Sequence, residues 1–186
     1  HAVFLESDVP FPYIALLVSG GHTSLFRVEG WGEMKFLGGT RDDAAGEAFD
    51  KAAKMMGLPY PGGVAIDRAG QEGDAARFHF PRAWLSRDSA DFSFSGLKTA
   101  LRTFLVSPEG KAARMEDVAA SFQEALVDSL VKVPLEWARR ARVRQVVLGG
   151  GVAAKGRLRE RMADEGAAAG CEVVLPPPRL CTDNGA

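Results

Sequence analysis

The last third of the sequence constrains the fold most, because it carries the pattern of a β-α-β unit. Gln145 to Leu148 is a short apolar run that predicts a buried strand, and a run of glycines follows it. Residues 153–169 then predict a helix, and 172–175 predict a returning strand. Parallel strands joined by a crossover helix require a sheet that helices cover, with a right-handed connection.

The N-terminal part predicts a different kind of strand pairing. Residues 13–18 form a continuous apolar run, and further strand-like segments follow at 22–28 and 34–37. Short glycine-containing turns separate these segments, which indicates an antiparallel meander. Together with the β-α-β unit, the meander predicts the α/β class with a mixed sheet and helices.

Two long segments have the periodicity of amphipathic helices. Thr40 and Asp43 have the spacing of a capping box, and Gly57 has the position of a C-terminal stop. A second helix is predicted over Glu116–Arg142, with a kink or split at Pro134 because proline lacks an N–H donor. The apolar stripes that should face the core are Ala45, Phe49, Ala52, Ala53 and Met56 in the first helix, and Val118, Phe122, Leu126, Leu130 and Val133 in the second.

The composition is that of an ordinary globular chain. It has 186 residues, 46% of them hydrophobic, and a formal net charge of -1. This length suits one domain, or one and a part, and the near-zero charge argues against a protein that mainly coats nucleic acid. Cys171 and Cys181 form neither a disulfide framework nor a zinc-ribbon spacing, which predicts a cytoplasmic location.

The two ends of the chain predict a fragment. The sequence opens at His1 without an initiator methionine and stops at Ala186, within a segment typical of a helix start. We therefore expect the fold to be truncated at both ends. The sequence has neither a signal peptide nor an apolar run long enough to cross a bilayer, so no membrane partner is predicted.

Three glycine-containing turns are candidates for ligand contact. Ser19–Thr23 joins two predicted strands, and its N–H groups could form an anion-binding nest or simply a hairpin turn. Gly149–Gly151 lies between a strand and a helix, where either a bound phosphate or tight packing explains the glycines. Tyr60–Gly63 predicts a turn in which the proline restricts the backbone and the two glycines after it leave it flexible. The spacings of a P-loop and of a dinucleotide fingerprint do not occur.

Acidic side chains supply two further candidates. Asp43, Glu47 and Asp50 share a helix face, because residues three or four apart are neighbours on a helix. They could bind ribose hydroxyls, a metal ion or an ammonium group, but a solvated face with Lys54 as counter-charge is the commoner arrangement. Asp183 lies at a predicted helix start, where a carboxylate either caps the helix or holds a metal ion.

The order of the motifs resembles that of one known family. The blocks that carry the resemblance are Leu17-Val18-Ser19-Gly20-Gly21-His22-Thr23, Asp42-Asp43-Ala44-Ala45-Gly46-Glu47-Ala48-Phe49-Asp50-Lys51, Tyr60-Pro61-Gly62-Gly63, Phe92-Ser93-Phe94-Ser95-Gly96-Leu97-Lys98-Thr99, Gly150-Gly151-Val152 and Cys181-Thr182-Asp183-Asn184-Gly185-Ala186. Together they resemble the tRNA N6-adenosine threonylcarbamoyltransferases, formerly described as O-sialoglycoprotein endopeptidases or glycoproteases, over essentially the whole chain.

The resemblance implies an actin-like ATPase fold of the ribonuclease H-like, sugar kinase/Hsp70 type. It also implies a domain division. Residues 1–12 would be the remnant of a first actin-like domain. Residues 13–178 would form the second, with a helical insertion at about 60–142, and residues 179–186 would return to the first.

The activity that the resemblance implies is transfer of a threonylcarbamoyl group from threonylcarbamoyl-adenylate to N6 of the tRNA adenosine beside the anticodon. The adenylate is an activated mixed anhydride, so positioning and charge stabilisation suffice and no covalent enzyme nucleophile is needed. The partners implied are tRNA, the adenylate, a paralogous actin-like subunit and a small ATPase of the same pathway. A homo-oligomer is also possible, because an exposed sheet edge favours self-association.

The resemblance assigns roles to particular residues. The segment that would cradle the phosphate and carbamoyl part of the substrate is Leu17, Val18, Ser19, Gly20 and Gly21. Asp50, Gly63 and Asp67 match positions that hold the ribose and nearby groups. Lys155 stands where the family commonly has an Asn that contacts the adenylate. Asp183 matches the carboxylate ligand of one divalent metal ion, iron or zinc, whose histidine ligands would lie just before this chain.

The sequence leaves three alternatives open. A metal-dependent glycoprotein endopeptidase needs about three protein ligands, of which this chain offers only Asp183. A non-catalytic actin-like partner subunit is disfavoured by the retained Ser19-Gly20-Gly21 turn. A sugar or acyl kinase does not account for the blocks at 92–99 and 181–186. Because the histidine pair is outside the chain, we expect the fragment to be inactive alone.

Overall fold

A mixed sheet forms the centre of the molecule. The computed structural model describes residues 9–86, 88–154 and 156–177. Within these ranges, five strands form one sheet with the order β3-β2-β1-β4-β5. The strands are β1 (Tyr13–Val18), β2 (Thr23–Gly30), β3 (Glu33–Gly39), β4 (Gln145–Gly149) and β5 (Glu172–Val174). β1, β2 and β3 pair antiparallel, and β4 pairs parallel with β1 and β5, so the predicted meander and mixed sheet are confirmed.

The helices follow the predicted periodicity but not all of the predicted bounds. In the described ranges they are α1 (Ala45–Met55), α2 (Gly62–Gly70), α3 (Ser95–Val106), α4 (Pro108–Ala112), α5 (Met115–Ala141) and α6 (Gly156–Ala168). α2 was not expected, because Gly62 and Gly63 looked like turn residues. A short 3₁₀ turn, Gly151–Ala154, precedes α6, so the helix predicted over 153–169 begins later than expected.

The capping-box prediction for α1 is wrong. The helix begins at Ala45 rather than directly after Thr40, and the Thr40 hydroxyl donates to the Asp43 carbonyl instead. The cap comes from a distant residue, because the Ala45 N–H donates to Thr23 Oγ1 at 2.9 Å. Gly57 follows the helix with a φ of +72°, so the predicted stop is confirmed.

α5 passes through Pro134 without a break, so the predicted split is wrong. Val131, Val133, Pro134 and Leu135 are all buried in the helix. Burial of this apolar segment offsets the hydrogen bond that proline removes, because tertiary packing overrides local preference.

The main core lies between one face of the sheet and helices α1, α2, α3, α5 and α6. Both predicted apolar stripes are buried there. Phe122 of α5 meets Phe49 of α1 and Phe80 edge to face, with ring centroids 6.4 and 6.2 Å apart. A smaller cluster around Tyr13, Val28 and Val147 lies on the opposite face. No helix within the described residues is long and apolar enough to cross a membrane.

A network of ion pairs joins α5 to α6. Asp128 is only 5% exposed, and its carboxylate accepts hydrogen bonds from Arg82 Nε and Lys132 Nζ, both at 2.9 Å, and from Arg161 Nη2 at 3.0 Å. Arg161 also pairs with Glu124 of α5. Burial acts to raise the pKa of the Asp128 carboxyl, but the cationic partners outweigh it and hold the pKa below its ordinary value.

We expect the Asp128→Asn substitution to destabilise the fold at neutral pH by about 1–3 kcal/mol, because three cationic donors lose their charged acceptor. The folded-state pKa of Asp128 is depressed, so its stabilisation is present above the unfolded pKa of about 4 and is lost as pH falls through the folded pKa. The difference between wild type and variant should therefore shrink below about pH 4. Urea unfolding at several pH values measures it, with the exposed Asp164→Asn on α6 as control. A difference independent of pH would contradict the assignment.

Candidate functional site

The carboxyl ends of β1 and β4 lie side by side and bring two glycine turns together. Leu17 of β1 is paired with Gly149 of β4 in the parallel register. Each strand runs directly into a turn, Ser19–His22 after β1 and Gly150–Gly151 after β4. Ligands of open α/β sheets bind in the crevice outside the carboxyl ends of the strands, so this edge is the candidate site.

Gly150 is required by packing. Its φ is +92°, and a Cβ at this position would lie 2.4 Å from the carbonyl oxygen of Val18. The tight-packing interpretation of the Gly149–Gly151 turn is therefore confirmed at Gly150. The close approach fixes the second turn against the end of β1.

The Ser19–His22 turn has exposed glycines. The Ser19 N–H donates to the His22 carbonyl at 2.8 Å, and the His22 N–H donates to Ser19 Oγ at 3.1 Å. These bonds close the turn and leave the Gly20 and Gly21 N–H groups without an acceptor among the residues that the structure describes. A Cβ at either glycine would meet nothing within 4 Å. The turn is thus both a hairpin connection and an open surface with available donors.

The first turn of α1 supports this loop from below. The Gly46 N–H donates to the Ser19 carbonyl at 3.2 Å. A Cβ on Gly46 would lie 2.6 Å from the Ser19 carbonyl oxygen and 2.7 Å from Gly20 Cα, so only glycine permits this contact. The positive end of the α1 dipole therefore lies directly behind the exposed turn, which favours an anion there.

The candidate site extends from the first turn of α1 to Asp50 and the start of α2. Asp50 is one helical turn beyond Gly46, about 6 Å along the axis, and its Oδ1 accepts a hydrogen bond from the Gly62 N–H at 2.8 Å. A Cβ on Gly62 would lie 2.6 Å from Asp50 Cα, so α1 and α2 are in close contact. Gly63 is buried in the first turn of α2. The structure therefore places Asp50 against Gly62, the residue before Gly63.

Asp67 faces a cavity between α2, α5 and α6. Its Oδ1 accepts a hydrogen bond from Gln123 Nε2 at 2.6 Å, and both residues line a cavity of about 560 Å³ together with Gly156 and Arg157. Lys155 lies outside the described residues, but the residue after it lines this cavity. Asp183 also lies outside the described residues.

The predicted acidic cluster is mainly structural. Asp43 accepts hydrogen bonds from Lys98 Nζ and from Lys51 Nζ, the latter at 2.7 Å, and Lys51 also pairs with Glu47 at 2.7 Å. Lys51, not Lys54 as predicted, is therefore the counter-charge. Partial burial acts to raise the pKa of the Asp43 carboxyl, but both lysines outweigh it and hold the pKa below its ordinary value. No group of three or more metal-binding side chains occurs among the described residues.

Asp42 has a role that the sequence analysis missed. Its Oδ1 accepts a hydrogen bond from the Phe94 N–H at 2.8 Å, and its Oδ2 accepts one from the Ser93 hydroxyl. The carboxylate thereby caps α3, which has no cap of its own. The joint occurrence of the 42–51 and 92–99 blocks was the available signal, because these blocks are docked onto each other.

Comparison with known proteins identifies the relatives of this chain. The family model described as "TsaD: tRNA N6-adenosine threonylcarbamoyltransferase" matches residues 1–186. A tRNA N6-adenosine threonylcarbamoyltransferase of Anaeromyxobacter sp. (strain Fw109-5) is 55% identical over 190 residues, covering 100% of this chain and 56% of the relative. That of Geobacter metallireducens is 53% identical over 189 residues, covering 100% and 55%. The chain spans a little over half the length of these relatives.

Solved structures confirm the predicted fold. Full-length HypF, in its phosphate- and nucleotide-bound form, has a TM-score of 0.74 at 13% identity, covering 99% of this chain and 33% of that one. The activator of 2-hydroxyisocaproyl-CoA dehydratase from Clostridium difficile, with bound ADPNP, has a TM-score of 0.56 at 18% identity, covering 97% and 60%. Both have the actin-like ATPase fold, which is therefore the fold of this chain.

We expect the Thr23→Val substitution to lower the free energy of unfolding by about 1–3 kcal/mol, because it leaves the buried Ala45 N–H without its acceptor. Thr23→Ser keeps the hydroxyl and removes one methyl group, which costs only about 0.8 kcal/mol. Urea unfolding of the two variants separates the hydrogen bond from the packing. An equal loss in both would show that the Thr23 hydroxyl does not hold α1 in place.

Gly46 and Gly96 form a matched pair, since each is the second residue of its helix. Gly46→Ala should destabilise the protein by about 1–3 kcal/mol, because the new methyl group overlaps the Ser19–Gly20 backbone. A Cβ at Gly96 meets nothing within 4 Å, so Gly96→Ala should stabilise α3 by up to about 1 kcal/mol through helix propensity. Thermal unfolding measures both stability changes. A change of the same sign in the two variants would contradict the packing of the Ser19–His22 turn against α1.

Proposed function

Because this chain belongs to the tRNA N6-adenosine threonylcarbamoyltransferase family, we propose that the intact protein transfers a threonylcarbamoyl group from its adenylate to N6 of the adenosine beside the tRNA anticodon. The observation that carries the proposal is the exposed Ser19–His22 turn on the N-terminus of α1. Its free N–H groups and the helix dipole are suited to an anionic phosphate at the reacting end of an adenylate.

The chemistry requires positioning more than a reactive side chain. The mixed anhydride of the adenylate is already activated, whereas the exocyclic amine is a weak nucleophile. In the proposed complex, the Gly20 and Gly21 N–H groups stabilise charge that develops on the phosphate and on the carbamoyl oxygen. Leu17 and Val18 bring the turn to the end of β1, beside the fixed Gly150 turn. The acyl carbon is thereby held in one orientation for attack by the N6 amine. As the C–N bond forms, the bond to the phosphate breaks, AMP leaves and the amine gives up one proton to water.

Asp50, Gly63 and Asp67 are the proposed contacts of the nucleoside part. Asp50 and Asp67 are carboxylates, which accept hydrogen bonds from ribose hydroxyls. The close contact of α1 and α2 at Gly62 sets the position of Asp50, and Gln123 orients Asp67. Lys155, in place of the common Asn, is a further proposed contact of the adenylate.

A divalent metal ion, iron or zinc, is part of the proposal. The residue of this chain that would bind it is Asp183, whose carboxylate is a suitable oxygen donor. The other ligands would be a histidine pair outside the chain. A bound ion would supply Lewis-acid polarisation of an oxygen atom.

The proposed partners are tRNA, threonylcarbamoyl-adenylate, a paralogous actin-like subunit and a small ATPase, with a homo-oligomer as a further possibility and the cytoplasm as the location. The alternatives of a glycoprotein endopeptidase and of a non-catalytic subunit are less favoured, because the relatives are named as transferases. Incubating the intact protein with a glycoprotein tests the first alternative, and we expect no cleavage.

The proposed function is tested by supplying the intact protein with threonylcarbamoyl-adenylate and unmodified tRNA and detecting the modified nucleoside by mass spectrometry. We expect transfer by the intact protein and none by the 186-residue chain alone. In the intact protein, Asp50→Asn should raise the KM for the adenylate roughly 10- to 150-fold, as expected for loss of a charged hydrogen bond. Its amide oxygen still accepts from the Gly62 N–H, so the melting temperature should change little.

The control variant for that experiment is Asp164→Asn, which neutralises an exposed carboxylate on α6. Its kinetic constants should equal those of the wild type. Absence of transfer by the intact protein under all metal and partner conditions would refute the proposed function. An unchanged KM in Asp50→Asn would refute only the role of Asp50.

A further inference from the structure

A second cavity lies at the start of α2, beside Asp50 and away from Asp67. It has a volume of about 480 Å³ and is bounded by Asp50, Lys54 and Tyr60, with Ala53, Leu58 and Gly62 among its other walls. This volume is within the ordinary range of ligand sites. Ala53 and Gly62 are buried and Leu58 is half-buried, so the interior of the cavity is an apolar surface.

Tyr60 stands at the rim of this cavity with 83% of its surface exposed. The ring is exposed and lies next to an apolar cavity. It therefore offers a flat face on which another ring can stack. Base–aromatic stacking of this kind is a common contact between proteins and single-stranded nucleic acids.

A cation beside Tyr60 is available for the RNA backbone. Lys54 is exposed, and within the described ranges it forms no ion pair, so its ammonium group is available for a phosphate. Asp50 uses Oδ1 for the Gly62 N–H, and its Oδ2 is left for the ribose hydroxyl of the adenylate. An exposed aromatic ring and an available cation therefore stand at one cavity.

We propose that Tyr60 stacks on a base of the single-stranded anticodon loop of the acceptor RNA, with Lys54 contacting the RNA backbone beside it. This inference rests on the proposed function, which makes an RNA loop the acceptor. The donor nucleoside is assigned to Asp50, Gly63 and the other cavity, which is lined by Asp67, Gln123 and Gly156 toward the far end of α2. Asp50 lines the cavity beside Tyr60 and is also a proposed contact of the adenylate, so the RNA base would be held beside the donor.

The experiment uses the intact protein and a synthetic RNA hairpin that carries the unmodified anticodon loop. Tyr60→Ala should weaken binding of this hairpin about 5- to 150-fold, the change that corresponds to the ~1–3 kcal/mol of one base–aromatic stack. Tyr60→Phe keeps the ring and should bind within about twofold of the wild type. The control is Phe36→Ala, which removes a ring that is 60% exposed on β3 and should leave binding unchanged.

Salt dependence tests Lys54 separately. Lys54→Ala should reduce the slope of log Kd against log salt concentration by about one, as expected for the loss of one phosphate contact. The exposed Lys35→Ala on β3 should leave the slope unchanged. An unchanged slope in Lys54→Ala would show that Lys54 does not contact the RNA backbone.

The outcomes separate this inference from the proposed function. If Tyr60→Ala leaves hairpin binding unchanged, or if it raises the KM for the adenylate instead, the assignment of Tyr60 to the RNA is wrong. If the intact protein binds the hairpin through Tyr60 but transfers nothing to tRNA, the RNA contact stands and the proposed reaction fails. If the wild-type protein does not bind the hairpin at all, the inference is overturned.

Discussion

The arrangement of the site depends on the buried hydrogen bond between the Thr23 hydroxyl and the Ala45 N–H. Thr23 is the first residue of β2 and is 1% exposed, and Ala45 is the first residue of α1. Because the bond joins the sheet to the helix at a buried point, it sets where α1 begins relative to the end of β1. The contact of Gly46 with Ser19 follows from that placement.

Three carboxylates in and just before α1 connect helices. Asp42 caps α3, and Asp50 binds the first N–H of α2, each from a position distant in sequence. Asp43 lies between Lys51 and Lys98 and so joins α1 to α3. A run of acidic residues that resembles a metal or catalytic cluster is therefore divided among separate structural contacts. Asp50 combines such a contact with a position beside a cavity.

The two cavities at the ends of α2 provide separate positions for the donor and the acceptor of the proposed reaction. The donor nucleoside is assigned to the cavity beside Asp67, and the acceptor base to the cavity beside Tyr60. α1 and α2 are held together by the close approach of Gly62 to Asp50, so the two cavities keep a fixed relation to each other and to the Ser19–His22 turn. Fixed relative positions are what a reaction between an activated acyl group and a weak amine requires.

The sequence by itself determined the strands, their mixed pairing, the apolar stripes of α1 and α5, and the glycine turn at the end of β1. These features depend on local periodicity and on residues with special backbone freedom, which are visible without coordinates. The order of the motifs also indicated the family. The tertiary structure alone decided the start of α1, the existence of α2, the continuity of α5 through Pro134 and the partners of Asp42, Asp43 and Asp50. Each of these depends on a hydrogen bond or packing contact between residues far apart in sequence, and such contacts outweigh local preference only once the chain is folded.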